Sequence, residues 1–120
     1  MSDKNILIID DEAEIVSLLK RILEKKGHHV MSANNITKGK ALFGDEDVDI
    51  LMLDINLPDG NGLDELSGFC QKKPNCNIIM MSAFDSQDLQ NKATCDGAKN
   101  FISKPFNINS VIAVVQPFTH

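Results

Sequence analysis

The chain has 120 residues, 42% of them hydrophobic and 24% charged, with a formal net charge of −5. A chain of this length forms one domain, here 1–120, and buries roughly two thirds of its unfolded surface without staples; the acidic balance excludes a nucleic-acid surface in this segment, because phosphate binding needs clustered cations. Its apolar runs are strand-sized, which excludes a membrane span, and the polar start Met1-Ser2-Asp3-Lys4 lacks the apolar stretch of a signal peptide, so a cytoplasmic domain without membrane contact is expected.

Asn5 to Asp10 has the pattern of an apolar strand that ends in an acid, and Asp11 doubles that acid. A helix follows: Ile15, Leu18, Leu19, Ile22 and Leu23 form one apolar stripe, Glu12, Glu14, Lys20, Glu24 and Lys25 stay off it, and Gly27 supplies the stop. The more polar run from about His28 to Ala33 predicts a second strand near an edge. Asn34 to Gly44 predicts a weaker helix with Ile36, Leu42 and Phe43 as its apolar contacts and Gly39 against it. Ile50 to Leu53, four apolar residues bounded by Pro and Gly, predict a strand covered on both faces, and it stops at Asp54. Pro58, Gly60 and Gly62 then turn the chain toward the next helix.

Leu63, Leu66, Phe69 and Cys70 space as that third helix, closed by Pro74 and Asn75. Asn77 to Ser82 is a fourth strand whose apolar run again ends in an oxygen-bearing residue. Ser86 to Cys95 predicts a polar, loosely held helix with Leu89 and Ala93 as its anchors, ended by Gly97. Lys99 to Ser103 is the last strand and Lys104-Pro105 a turn. Asn107 is placed to cap a helix carrying Ile108, Val111, Ile112 and Val115, which Pro117 ends.

Five strands alternating with five helices require a parallel, doubly wound α/β sheet with helices on two faces. The expected order is 2-1-3-4-5, with the topological switch, where ligands bind, between the strands that end in Asp10 and Asp54. Asp10, Asp11 and Asp54 are therefore expected to converge on one crevice, where three carboxylates repel unless a cation sits among them. Oxygen-only ligands with room for water and phosphate match Mg²⁺ better than zinc or a calcium cage. Each acid also has a plain role as a helix cap, which for Asp11 alone is the favoured one. Ser82 and Lys104 reach the same edge. Singly they are a turn hydroxyl and a solvated charge; together with a metal-bound carboxylate they make a cradle for a transferring phosphoryl group, with Asp54 as nucleophile forming an acyl phosphate.

With Asp10-Asp11, Asp54 in L-D-I-N-L-P-D-G-N-G, Ser82-Ala83 and Lys104-Pro105 in this order and spacing, the sequence resembles the receiver domains of two-component response regulators over nearly its whole length. That resemblance implies a flavodoxin-like fold and transfer of phosphate from the phosphohistidine of a sensor histidine kinase or phosphotransfer protein to Asp54. It further implies that Mg²⁺ is bound directly by Asp11, Asp54 and the backbone carbonyl of Asn56, and through water by Asp10. Ser82 and Lys104 would read out the phosphoryl group, and Phe101 stands where the family has an aromatic switch residue, here without a hydroxyl. The surface of helix 4, strand 5 and helix 5 is expected to change on phosphorylation, with a possible homodimer through it. Asn56 and Phe84, two positions after Asp54 and Ser82, overlook the path of a hydrolytic water; Phe84 either covers it or packs against helix 4.

Two other functions compete. An aspartyl-phosphate phosphatase of the haloacid dehalogenase type needs D-x-D-x-T, but Asp54-Ile55-Asn56-Leu57-Pro58 lacks the second acid, so a steady-turnover enzyme is not expected. A receiver-like interaction module that never sees phosphate would have no need of Asp10, Asp11, Asp54, Ser82 and Lys104 together. His28, His29 and His120 are not expected at the carboxyl edge, and Met31, Met52, Met80 and Met81 are expected as core filler. Cys70, Cys76 and Cys95 fit no C-x-x-C spacing and are expected as thiols.

Overall fold

Side-chain alternation along the strands of one sheet divides the interior of this protein into two layers. The structure is a computed structural model that describes residues 3–84 and 86–119; Met1, Ser2 and His120, which entered the sequence expectations, lie outside the described residues. In chain order the elements are β1 (Asn5–Ile9), α1 (Ala13–Lys25), β2 (His29–Ala33), α2 (Ile36–Asp45) and β3 (Ile50–Asp54). A two-residue ribbon follows, β4 (Asn56–Leu57) and β5 (Gly60–Asn61). Then come α3 (Gly62–Lys72), β6 (Asn77–Ser82), α4 (Gln87–Cys95), β7 (Asn100–Ser103), α5 (Ile108–Val115) and a 3₁₀ turn at Gln116–Phe118.

The main sheet is parallel, in the order β2-β1-β3-β6-β7. This is the expected 2-1-3-4-5 arrangement with β6 and β7 as fourth and fifth strands. The more polar β2 is indeed an edge. Leu7, Ile9, Leu51, Leu53, Ile78 and Met80 point to one face and pack with Phe43, Leu66, Phe69 and Ala93 from α2, α3 and α4. Their neighbours Ile6, Ile8, Ile50, Met52, Ile79 and Met81 point to the other and meet Leu19 and Leu23 of α1 and Val111 and Val115 of α5. Met52, Met80 and Met81 are fully buried core, as expected. The layer under α2 and α3 is locked by Phe43 against Phe69, edge to face with centroids 4.9 Å apart.

Side-chain caps start the last two helices; that of Asn107 is the expected one, and Ser86 caps α4 rather than opening it. Asn107 accepts from the Ser110 N–H at 2.9 Å and Ser86 from the Leu89 N–H at 3.2 Å. α4 is as thinly anchored as its sequence suggests, with Ala93 its only buried residue and Leu89 half-buried. The sequence expectation lacked the β4–β5 ribbon, since two residues per strand leave no period to detect. It is rooted by the Gly62 N–H bonding the Ile55 carbonyl at 2.7 Å. Any side chain at Gly62 would run into the Asp54 carbonyl, so a glycine there lets α3 begin directly beneath the end of β3. No helix among the described residues is long and apolar enough to cross a membrane.

Candidate functional site at the carboxyl edge of the sheet

Asp54 is the last residue of β3 and Asp10 follows β1 directly; they are 3% and 1% exposed. Backbone ties set both. The Asp10 N–H donates to the Ala33 carbonyl at 3.1 Å, and the Ile55 N–H to the Met81 carbonyl at 3.1 Å. Lys104 enters from the end of β7, where its N–H donates to the Ser82 carbonyl at 2.7 Å. Its Nζ lies 2.8 Å from Asp10 Oδ2, 2.6 Å from Glu12 Oε1 and 3.4 Å from Asp54 Oδ2. Ser82 is fully buried, and its Oγ accepts from the Phe84 N–H at 2.9 Å. A hydroxyl that accepts one bond keeps a proton to donate.

Oxygens of Asp10, Glu12 and Asp54 lie within 4.8 Å of one another. Asp11, expected in this crevice, is exposed and stands outside that group, and Glu12 takes the third place. Asp11 lines, together with Asp10, Lys20, Ser32 and Lys38, an adjoining cleft of about 520 Å³. The local backbone accounts for this. Glu12 is the extended N-cap residue of α1 but makes no side-chain cap bond, so its long side chain is turned to Lys104; its own N–H donates to Asp10 Oδ1 at 2.9 Å.

One ammonium among three carboxylates leaves the crevice electron-rich. Burial, and next the neighbouring charge of Asp10, push the Asp54 carboxyl from 3.8 up to about 6, with Lys104 pulling the other way. Burial would drain charge from Lys104, but its contacts with Asp10 and Glu12 and the charge of Asp54 outweigh that, and its pKa is raised. Asp10 Oδ2 is buried, and among the described residues it has the Lys104 ion pair at 2.8 Å but no well-directed hydrogen bond. A buried carboxylate oxygen with unused lone pairs, in an all-oxygen set with surplus negative charge, fits a hard divalent cation.

Asn56 is exposed on β4. Phe84 is 67% exposed, so it is not packed away against α4. Phe101 is half-buried against the α2–α3–α4 layer with Leu89 and Cys70. His28 and His29 stand at the opposite end of the sheet, at the start of β2. His28 Nδ1 accepts from the Lys4 N–H at 3.1 Å, and burial lowers its pKa. The three cysteines are free thiols, and burial pushes Cys76 up to about 12.

Comparison with known proteins matches residues 6–116 to the family described as response regulator receiver domain. The chemotaxis protein CheY of Thermotoga maritima is 36% identical over 110 residues, 91% of this chain and 92% of that protein. A response regulator from Burkholderia pseudomallei, crystallised with a phosphorylated aspartic acid, calcium ion and citrate, superposes with TM-score 0.86 at 32% identity, covering 92% of this chain and 65% of that one. The beryllofluoride-activated receiver domain dimer of NtrC4 superposes with TM-score 0.91 at 27% identity, covering 96% and 95%. The chain spans only 60% of the length of another relative, the photosynthetic apparatus regulatory protein RegA of Cereibacter sphaeroides.

Proposed function

The chain belongs to the response regulator receiver domain family, signalling modules of two-component systems, and from that premise we propose that its Asp54 takes a phosphoryl group from the phosphohistidine of a sensor histidine kinase or phosphotransfer protein. The observation that carries this is the placement of Asp54: buried at the switch point of the sheet, with a buried hydroxyl and a half-buried ammonium delivered to the same edge by the next two strands. Its raised pKa of about 6 still leaves it ionised and nucleophilic at neutral pH.

An Asp54 oxygen attacks phosphorus, the P–N bond to the donor imidazole breaks, and the imidazole leaves with the bonding electron pair and a proton. Lys104 exchanges its longest contact, to Asp54, for a phosphoryl oxygen, and Ser82 donates its hydroxyl proton to another. Asp54, the acids at positions 10 to 12 and the Asn56 carbonyl would hold Mg²⁺. When bound, Mg²⁺ neutralises charge between the carboxylate and the incoming phosphoryl oxygens. The clustered Asp10 and Glu12 support this assignment, and Asp11 sits between them in sequence.

Residues 1–120 act as one receiver domain in the cytoplasm, where the phosphohistidine is presented, and not as a turnover enzyme. Lys104 leaving Asp54 and Ser82 engaging phosphate pull on both sides of the α4–β7–α5 face, where α4 is weakly anchored and Phe84 and Ile108 are exposed at 67% and 55%. Phe101, half-buried beneath that face, changes packing with it. A homodimer or partner forms on this surface; the similar receiver domain of NtrC4 is a dimer when activated by beryllofluoride. Incubation with acetyl phosphate and Mg²⁺ tests the function: one acid-stable, base-labile phosphate per chain is expected. Continuous turnover of a chromogenic phosphate ester, or no uptake at all, would defeat it.

A further inference from the structure

We infer that Asp59 is a positioning residue of the phosphoacceptor site: its carboxylate ties the ribbon that carries Asn56 to the N-terminus of α2. The inference rests on the Mg²⁺ reading given above, in which the Asn56 backbone faces the ion, and it adds a residue outside that ligand set.

Asp59 sits in the turn between β4 and β5. One of its oxygens accepts from the Ile36 N–H at 2.8 Å; the other accepts from the Thr37 N–H at 3.0 Å and the Thr37 hydroxyl at 2.9 Å. The two amides are first-turn donors that a helix cannot satisfy internally. The helix's own N-cap, Asn35, spends its side-chain oxygen on the Lys38 N–H at 2.8 Å, so Asp59 supplies what the local cap leaves undone. A carboxylate there also faces the positive end of the helix dipole. In keeping with that, the Ile36 amide holds the Asp59 carboxyl below the ordinary range, and it stays ionised at neutral pH.

A ribbon of two paired positions, Asn56 with Asn61 and Leu57 with Gly60, is far too short to hold its own shape. Its root is fixed by the bond from the Gly62 N–H to the Ile55 carbonyl and by Asn61 Oδ1 accepting from the Leu63 N–H at 2.8 Å. Its tip is held by Asp59, and beside it the Gly60 backbone lies so close to Ile36 that an added Cβ would come within 2.9 Å of Cδ1. Asn56 lies between root and tip. Fixing the tip therefore fixes the Asn56 carbonyl and restrains the amide side chain over the water path. Reciprocity follows: whatever the tether adds to cation binding, bound cation returns as protection of the first turn of α2. A helix that contributes nothing to the proposed ligand set thus senses whether the site is filled.

The test compares Asp59→Ala, Asp59→Asn and Asn35→Ala, the last removing the local cap of α2 and sparing the ribbon tip. Amide exchange in the segment from Asn56 to Gly62 should quicken by about tenfold in Asp59→Ala but stay at the parent rate in Asn35→Ala, although both variants melt earlier. By calorimetry, Mg²⁺ should bind about fivefold more weakly to Asp59→Ala, partly recover in Asp59→Asn, which keeps one acceptor oxygen, and be unchanged in Asn35→Ala. Ribbon exchange equal in Asp59→Ala and Asn35→Ala overturns the tether, as does full Mg²⁺ affinity in Asp59→Ala. If the parent binds no Mg²⁺, the metal reading fails by itself, and the exchange comparison alone decides the tether.

Discussion

Replacing Asp54 by Asn should make the metal-free protein more stable, although it removes a partner of Lys104. In the folded protein burial, and then the charge of Asp10, raise the Asp54 pKa from 3.8 to about 6. A group raised in this way contributes stability that is fully present below pH 3.8 and is lost as the pH climbs through about 6. The whole interval corresponds to about 3 kcal/mol at 1.36 kcal/mol per pH unit, and screening by solvent at the open side of the crevice lowers the usable part to about 2 kcal/mol. Lys104 loses only its longest contact, 3.4 Å, and keeps Asp10 at 2.8 Å and Glu12 at 2.6 Å. Urea and thermal melts in EDTA at neutral pH should therefore show Asp54→Asn about 2 kcal/mol more stable, a rise of about 5–10 °C for a domain of this size. The gap should close at or below pH 3.8, where the parent carboxyl is protonated as well. A variant less stable than the parent at neutral pH would show that the Lys104 pair, not burial and the neighbouring acids, governs Asp54.

Mg²⁺ at 100 times its dissociation constant should stabilise the parent by about 2.7 kcal/mol by mass action; melts of Asp11→Ala and Glu12→Ala with and without the ion show which acid joins the set, and no Mg²⁺ effect in the parent would refute the site. Lys104→Ala should accept phosphate from acetyl phosphate yet lose the change in α4–β7–α5 seen by hydrogen exchange with beryllofluoride; a full response, or change confined to α1 and α2, would refute the switch. Phe84, 67% exposed beside the acceptor edge, should slow hydrolysis of the phosphorylated protein. Phe84→Glu and Phe84→Ala should then lose phosphate up to about tenfold faster, equivalent to about 1.4 kcal/mol of barrier, and equal decay in all three would show that it does not guard the water path.

The sheet was legible because burial on both faces leaves a direct trace. The runs at Ile6–Ile9, Ile50–Leu53 and Ile78–Met81 contain no polar residue, and the acid or hydroxyl that ends each marks the functional edge. Which residues meet which helices came only with the folded sheet, where alternation divides the two layers. The site was legible to the level of its strands and not beyond. Asp10, Asp11 and Glu12 are adjacent acids with the same local signal, and which of them points inward depends on the turn between β1 and α1, where the extended Glu12 swings its carboxylate to Lys104. Asp59 drew no attention in the sequence because the amides it serves lie 23 and 22 positions earlier. Contacts of that kind belong to tertiary structure and leave no period in the chain.

Hydride trapping of the acyl phosphate shows whether Asp54 alone receives phosphate. Borohydride reduces an aspartyl phosphate to homoserine and leaves free carboxylates intact, so fragmentation mass spectrometry of the acetyl-phosphate-treated, reduced protein locates the acceptor. Homoserine at position 54 alone, absent from Asp54→Asn, is the expected result. Homoserine at position 10 or 11, the corresponding reduced residue at Glu12, or undiminished phosphate uptake by Asp54→Asn would contradict the account.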